Sequence, residues 1–191
     1  MLNVPNLVTL SRIIMIPLLV GIYYVPDHLL SEEGKNITAT AIFILAGITD
    51  WLDGYLARRL NQISAFGTCL DPVADKLIVV AALIALLYLK RVDVIVALII
   101  VGREIAISAL REWMAQIGAS KSVAVHMLGK VKTTVQMIAI PFLLFDGHLF
   151  GAIDTGLWGT WLIWMSAILT VWSMIYYLRK ALPEIRRRVK K

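Results

Sequence analysis

The stretch ATAIFILAGITDWLDGYLAR, residues 39–58, decides the fold: it is an apolar run of membrane length that carries two carboxylates, Asp50 and Asp53, and ends on Arg58. Asp71 and Asp75 stand at the opening of the next apolar run. An aspartate at the centre of a bilayer-crossing helix costs about 2.5–3.5 kcal/mol. Four of them approach ~10 kcal/mol on that scale, less what nearness to the helix ends saves. Such a cost needs a compensating partner, and an ionisable residue inside a membrane segment is a functional hypothesis by default.

Composition supports a membrane setting. Hydrophobic residues make up 59% of the 191 positions, mean hydropathy is +0.78, and charged residues are 17%, where a soluble domain carries about a quarter. The apolar runs fall at 7–25, 37–57, 72–89, 92–110, 123–145 and 157–178, each about the 20 residues a helix needs to cross a 30 Å hydrocarbon core. The expected fold is therefore an all-α integral membrane protein, a six-transmembrane-helix bundle forming a single domain over residues 1–191. No room is left for a soluble catalytic domain, so any chemistry belongs within the bundle or at its rim. Arg12 interrupts the first run and no small-residue cleavage pattern follows Tyr24, so that run is expected to stay attached rather than act as a signal peptide. The one cysteine, Cys69, excludes an internal disulfide and a cysteine-based metal site.

The net charge of +6 matters through its distribution, because Lys and Arg beside short loops set orientation. The 26–36 connection carries Asp27, Glu32 and Glu33 against Lys35, and the 146–156 connection carries Asp146 and Asp154 with no cation. Both read as external. Arg58 and Arg59, then Arg111, Lys121, Lys130 and Lys132, then the basic tail from Arg179 to Lys191 read as cytoplasmic. Both termini are thus expected in the cytoplasm, with Lys90 and Arg91 in the short 90–92 turn as the one dissent.

Helix punctuation is legible. Pro26 is expected to end the first span, Asn61 and Gly67 to mark a break, Asp71-Pro72 to start a helix as N-cap and first position, and Gly118 and Ser120 to interrupt after the fourth span. Pro141 should kink or end the fifth. Trp158, Trp161 and Trp164 recur every third residue as an interfacial belt would. The Arg186–Lys191 cluster suits either anionic lipid or solvent, and His28, His126 and His148 are isolated.

The spacing of the aspartates suggests what their partner is. Asp50 and Asp53 are i,i+3 and Asp71 and Asp75 are i,i+4, so each pair projects from one face of its helix. Packed together, two such helices converge four carboxylates, which suits hard cations such as Mg²⁺ or Mn²⁺; sites with two ions about 3.5–4 Å apart serve phosphoryl and phosphodiester chemistry. Gly54 and Ala57 leave room for a nucleotide or diphosphate, and Arg58 offers phosphate a bidentate fork. Ion pairing with Arg58, Arg59 and Lys76 for structure alone is a competing reading. A divalent cation transporter and an Asp-rich intramembrane prenyltransferase are others, though neither gives a reason for the Gly, Ala and Arg offsets.

The pattern Asp50-x2-Asp53-Gly54-x2-Ala57-Arg58-x8-Gly67-x3-Asp71-x3-Asp75 resembles the complete signature of the CDP-alcohol phosphatidyltransferase family. The opening Pro5-Asn6-Leu7-Val8-Thr9-Leu10-Ser11-Arg12 and the six spans are also similar to that family. The resemblance implies that Asp50, Asp53, Asp71 and Asp75 hold two divalent ions, Mg²⁺ or Mn²⁺, with Asp75 also the general base on the acceptor hydroxyl. It implies that Gly54, Arg58 and Ser64 contact the CDP moiety and that Asn6 and Thr9 lie along the nucleotide.

An anionic acceptor needs cations away from the signature. Arg103 lies well inside an apolar run, where a lone Arg needs a polar cavity, a ligand or an ion-pair partner. Glu104, Ser108 and Arg111 share one helical stripe, and Lys130 and Lys132 open the fifth span. Residues 103–112 with 129–133 resemble the branch of the family whose acceptor is sn-glycerol 3-phosphate and whose products are phosphatidylglycerophosphate and CMP. That resemblance implies acceptor-phosphate binding by Arg103, Arg111 and Lys130. Other alcohol acceptors stay open at this point. The implied partners are CDP-diacylglycerol, sn-glycerol 3-phosphate, membrane lipid and a second copy of the chain, with no nucleic acid. The implied location is the cytoplasmic (inner) membrane, the site facing the cytoplasm.

Overall fold

The computed structural model describes residues 4–60, 65–116, 127–149 and 151–189. They form six helices: α1 (Val4–Gly21), α2 (Glu32–Leu60), α3 (Ala65–Tyr88), α4 (Val94–Gln116), α5 (Met127–Phe145) and α6 (Thr155–Val189). The all-α expectation needs one small amendment. The connection from α5 to α6 folds into a two-residue antiparallel ribbon, β1 (His148–Leu149) with β2 (Ile153–Asp154), turned through Gly151 at φ +71°, a conformation glycine adopts without steric cost.

Local chemistry explains the helix ends. A 3₁₀ turn, Ile22–Tyr24, follows α1, and Val25 is extended (φ −67°, ψ 133°), as the residue before Pro26 must be. Ser31 caps α2, its hydroxyl accepting from the Gly34 amide at 3.2 Å, and Glu32 and Glu33 in the first turn complement the helix dipole. Asp93 accepts from the Ile95 amide at 2.7 Å and so starts α4. Two punctuation readings are corrected. The helix expected to begin at Asp71-Pro72 has already begun at Ala65, so Pro72 lies inside α3 at the cost of one intrahelical bond. Gly67, expected to mark a break, likewise lies inside α3. Pro141, expected to kink or end α5, lies within it, and the helix runs on to Phe145. Asn61, Gly118 and Ser120 lie outside the described residues.

The buried core is apolar and rich in small residues. Leu19, Phe43, Leu83, Leu86 and Ile100 interlock with Ala39, Ala46, Ala82, Ala139 and Ala167, and small side chains let helix backbones approach closely. Gly159 marks the tightest approach: a Cβ there would meet the Leu143 side chain at 2.7 Å and its amide nitrogen at 3.1 Å.

The outer faces are inverted relative to a soluble protein. Along α6, Trp161 (70% exposed) and Trp172 (63%) face outward with Trp158, Trp164 and Ile168, whereas Ser166 and Thr170 (0%) and Ser173 face inward. This is the arrangement of a helix bundle with an apolar surround. By length and composition, one segment among the described residues meets the full requirement for crossing a bilayer: Thr155–Arg179, 25 residues with mean hydropathy 1.5. Leu10–Tyr24 and Val131–Phe145 are shorter apolar segments.

The helix ends sort to two poles. Asp27, Lys35, Arg91 and Asp146 line a polar hollow of about 450 Å³ at one. The dissenting Arg91 is a structural clamp. Its Nη1 donates to Asn36 Oδ1 at 3.0 Å, to the Leu144 carbonyl at 3.0 Å and to the Leu143 carbonyl at 3.3 Å, and its Nε pairs with Asp146 at 2.9 Å. One guanidinium thus joins the start of α2, the α3–α4 turn and the end of α5. We expect Arg91→Ala to destabilise the purified protein by about 2–3 kcal/mol, the worth of bonds to a charged donor together with stranded acceptors. A lysine, lacking the fork, should restore only part of it. Thermal unfolding in detergent checks both; full stability of the alanine variant would show the clamp to be idle.

Candidate active site

The opposite pole gathers the chemistry. A cavity of about 330 Å³ opens among α1 to α5, lined by Arg12, Asp50, Asp75, Glu104, Arg111 and Lys132. With Lys76, also on its wall, four cationic side chains face three carboxylates, a balance suited to an anionic ligand.

The carboxylates meet through a residue that spacing alone did not mark as part of the site. Arg12, 1% exposed, donates from Nη1 to Asp50 Oδ1 at 3.0 Å and to Asp75 Oδ1. The two acids on different helices therefore point at one spot. The signal was present in the sequence: an Arg inside an apolar run needs a polar partner, and Arg12 in the first run meets that condition as fully as Arg103 does in the fourth. Asp53 lies one turn beyond Asp50 on α2 and Asp71 one turn before Asp75 on α3, but their side chains fall outside the described residues. Among the described residues no group of three or more His, Cys, Asp and Glu is placed to hold a metal. Asp50 and Asp75, converging oxygen donors, fit a hard divalent cation; a four-carboxylate, two-ion site depends on Asp53 and Asp71 as well.

On the other wall Glu104 is held between two cations. Its Oε2 lies 3.1 Å from Lys132 Nζ and 3.1 Å from Arg103 Nη1. Lys132 is 2% exposed and so points into the bundle from the start of α5. Arg103 turns toward α6, reaching Ser173 Oγ at 3.5 Å, and is absent from the cavity wall. Of the cations expected at an acceptor phosphate, Arg111 does line the cavity. Its guanidinium carbon sits 5.5 Å from the centre of the Tyr177 ring, a cation–π contact, and its Nε is buried without a hydrogen-bond partner among the described residues, as is Gln136 Oε1 nearby. Both atoms are free to hydrogen-bond a polar ligand in the cavity. The side chains of Asn6, Thr9, Arg58 and Lys130, position 54, and Ser64 lie outside the described residues.

A larger hollow of about 610 Å³ on the outer face of α4 and α6, among Ile99, Trp164 and Trp172, is lined by apolar side chains among the described residues.

A helical bundle with carboxylates converging at one pole, opposite cations across a cavity, defines a class. The chain belongs to the CDP-alcohol phosphatidyltransferase family, whose model matches residues 2–172. It is 45% identical over 181 residues to the CDP-diacylglycerol–glycerol-3-phosphate 3-phosphatidyltransferase of Haemophilus influenzae, covering 94% of this chain and 93% of that one. It is 44% identical to the protein of that name from Salmonella choleraesuis, and 43% to the one from Escherichia coli K12, in both cases over 185 residues, 96% of this chain and 97% of the relative.

Proposed function

We propose that this chain transfers a phosphatidyl group from CDP-diacylglycerol to sn-glycerol 3-phosphate, giving phosphatidylglycerophosphate and CMP in phospholipid biosynthesis. The observation that carries the reading is the two-walled cavity, where Asp50 and Asp75 face Arg111 and Lys132. One wall suits a metal-bound diphosphate and the other a phosphomonoester. The three relatives bear the name of this reaction over nearly their whole length.

In this reading Asp50, Asp53, Asp71 and Asp75 hold two divalent ions, Mg²⁺ or Mn²⁺. When bound, the ions supply charge neutralisation on the diphosphate, the electrostatic help on which such transfers chiefly rest. Asn6, Thr9, Gly54, Arg58 and Ser64 contact the CDP moiety. Asp75 accepts the proton from the primary hydroxyl of glycerol 3-phosphate, whose oxygen attacks the β-phosphorus as CMP departs. Arg111 and Lys132, with Lys130 at the same end of α5, bind the acceptor phosphate, and Arg103 acts indirectly by holding Glu104.

The membrane arrangement belongs to the same proposal: six spans, both termini and the catalytic pole cytoplasmic, in the inner membrane, as a homodimer. The charge pattern supports the orientation. At the pole away from the carboxylates Lys35 pairs with Asp27 at 2.5 Å and Arg91 with Asp146, while Arg58, Arg59, Lys121, Lys130 and the basic tail follow the carboxylate pole in the sequence.

The direct experiment is CMP release by the purified protein given CDP-diacylglycerol, sn-glycerol 3-phosphate and Mg²⁺. Activity should vanish with EDTA and return with metal; product formed without the acceptor, or at full rate in EDTA, would contradict the proposal. Arg111→Ala isolates the acceptor wall. Losing a charge-assisted contact costs about 1.5–3 kcal/mol, roughly 10–150-fold in affinity. The loss should fall on the KM for glycerol 3-phosphate, with that for CDP-diacylglycerol nearly unmoved. Equal damage to both constants would assign Arg111 a structural role.

A further inference from the structure

Gln136 is a polar group on the cavity wall that the proposed reaction leaves unused. It is 4% exposed, its side chain lines the cavity with Asp50, Asp75, Arg111 and Lys132, and its Oε1 has no hydrogen-bond partner among the described residues. A glutamine amide brings one carbonyl acceptor and two donor hydrogens, and buried polar groups of this kind are nearly always paired. An apolar side chain of the same length would fill the place without stranding an acceptor.

The neighbours of Gln136 define what it faces. It lies one turn beyond Lys132 on α5, and residues at i and i+4 share one helical face. Glu104 holds Lys132 Nζ at 3.1 Å, which fixes that face of α5 toward the cavity. Across the cavity stand Asp50 and Asp75, joined by Arg12. With the phosphate of sn-glycerol 3-phosphate at Arg111 and Lys132 and its primary hydroxyl at Asp75, the one polar group left is the hydroxyl on the middle carbon. That carbon is the stereocentre, so a partner for its hydroxyl supplies the third point of attachment, the one that tells the two hands of the molecule apart.

We propose that Gln136 is a specificity-determining residue whose Oε1 accepts a hydrogen bond from the secondary hydroxyl of the acceptor. This rests on sn-glycerol 3-phosphate being the acceptor, as proposed above. The consequence is selection against plainer alcohol phosphates. One that binds without that hydroxyl leaves the buried amide unpaired, and a site built to bond a hydroxyl rejects the analogue that lacks it.

Two acceptors and one variant test it, in the full-length protein in nanodiscs. The analogue is 3-hydroxypropyl phosphate, which is sn-glycerol 3-phosphate without the secondary hydroxyl. The wild type should use it with a kcat/KM about tenfold lower, the factor given by about 1.4 kcal/mol of lost interaction. In Gln136→Met the ratio between the two acceptors should fall close to one, with the KM for CDP-diacylglycerol and inhibition by CMP unchanged. Methionine replaces an unpaired buried amide with an apolar chain of like size, so the substrate-free variant should melt no lower than the wild type. Equal use of both acceptors by the wild type, or an undiminished ratio in the variant, would overturn the assignment. A raised KM for CDP-diacylglycerol would move the contact to a hydroxyl of the nucleotide, and a lower melting temperature would make Gln136 a structural residue; either overturns it as well. In all of these outcomes CMP release with sn-glycerol 3-phosphate leaves the proposed function standing, whereas absence of that release from the wild type sinks the function and the assignment with it.

Discussion

Asp75→Asn should lower the rate of phosphatidyl transfer by about 10²–10⁴-fold, the usual worth of a general base, while the protein stays folded. Asparagine keeps the size of the side chain and one oxygen that Arg12 can still donate to, so the contact between α1 and α3 survives in part. On the proposed function, what disappears is the acceptor for the hydroxyl proton and one anionic ligand of four. Chemistry should therefore suffer more than CDP-lipid binding. Single-turnover rates at saturating acceptor, measured beside CMP affinity, separate the two. Should nucleotide affinity collapse while single-turnover chemistry is unchanged, Asp75 is a ligand only and the base lies elsewhere.

Glu104→Gln should produce the largest loss of stability. Its carboxylate faces two cations, Arg103 and Lys132, each at 3.1 Å, and removing it leaves both buried without their counter-ion. Breaking such a pair costs about 3–5 kcal/mol. Because the Glu104 side chain retains 27% exposure, water softens the loss, and about 3 kcal/mol is expected, the lower end of that range. Lys132→Met placed in the same protein should recover part of the stability, since an apolar side chain of similar length removes one of the two stranded charges. Activity should not return with it, because Lys132 is proposed to touch the acceptor phosphate. Additive destabilisation in the double variant would deny the coupling between the two residues.

What the sequence disclosed about this fold follows from how strong each signal is. Six apolar runs became six helices, since hydropathy over some twenty residues is a collective property that no single residue overturns. The boundaries were less legible. α2 begins at Glu32 and α6 extends to Val189, beyond their apolar runs, because polar residues continue a helix at no great cost outside hydrocarbon. Asp71-Pro72 looks like a helix start by local chemistry, yet α3 begins at Ala65; tertiary packing overrides a local preference worth about 1 kcal/mol. The ribbon at His148–Asp154 is too short to leave a periodic trace.

Of the four aspartates marked by their spacing, Asp50 and Asp75 converge through Arg12, while the side chains of Asp53 and Asp71, one turn away on the same helices, lie outside the described residues. Partners on different helices were not legible, because sequence spacing carries no information about which helices pack together. Arg12 reaches across 38 residues to Asp50 and 63 to Asp75, and Lys132 reaches 28 back to Glu104. Arg103 and Lys132 show the same limit from the other side. Both are buried cations bound to one carboxylate, but only the second also faces the cavity.

The long separation between Arg12 and its acidic partners has a consequence for how the protein is made. Translation delivers about 5–20 residues per second, so on the proposed membrane arrangement Arg12 emerges some 2–8 s before Asp50. During that interval it is a bare cation in an otherwise apolar segment, for which residence at the bilayer centre costs about 2.5–3.5 kcal/mol. On that arrangement the first helix is expected to wait at the insertion machinery or the lipid interface until α2 and α3 have been synthesised. These three helices are then expected to enter the bilayer together, with Arg12 paired to Asp50 and Asp75, and a nascent chain truncated before Asp50 should be extracted from membranes by alkali more readily than one ending after Asp75.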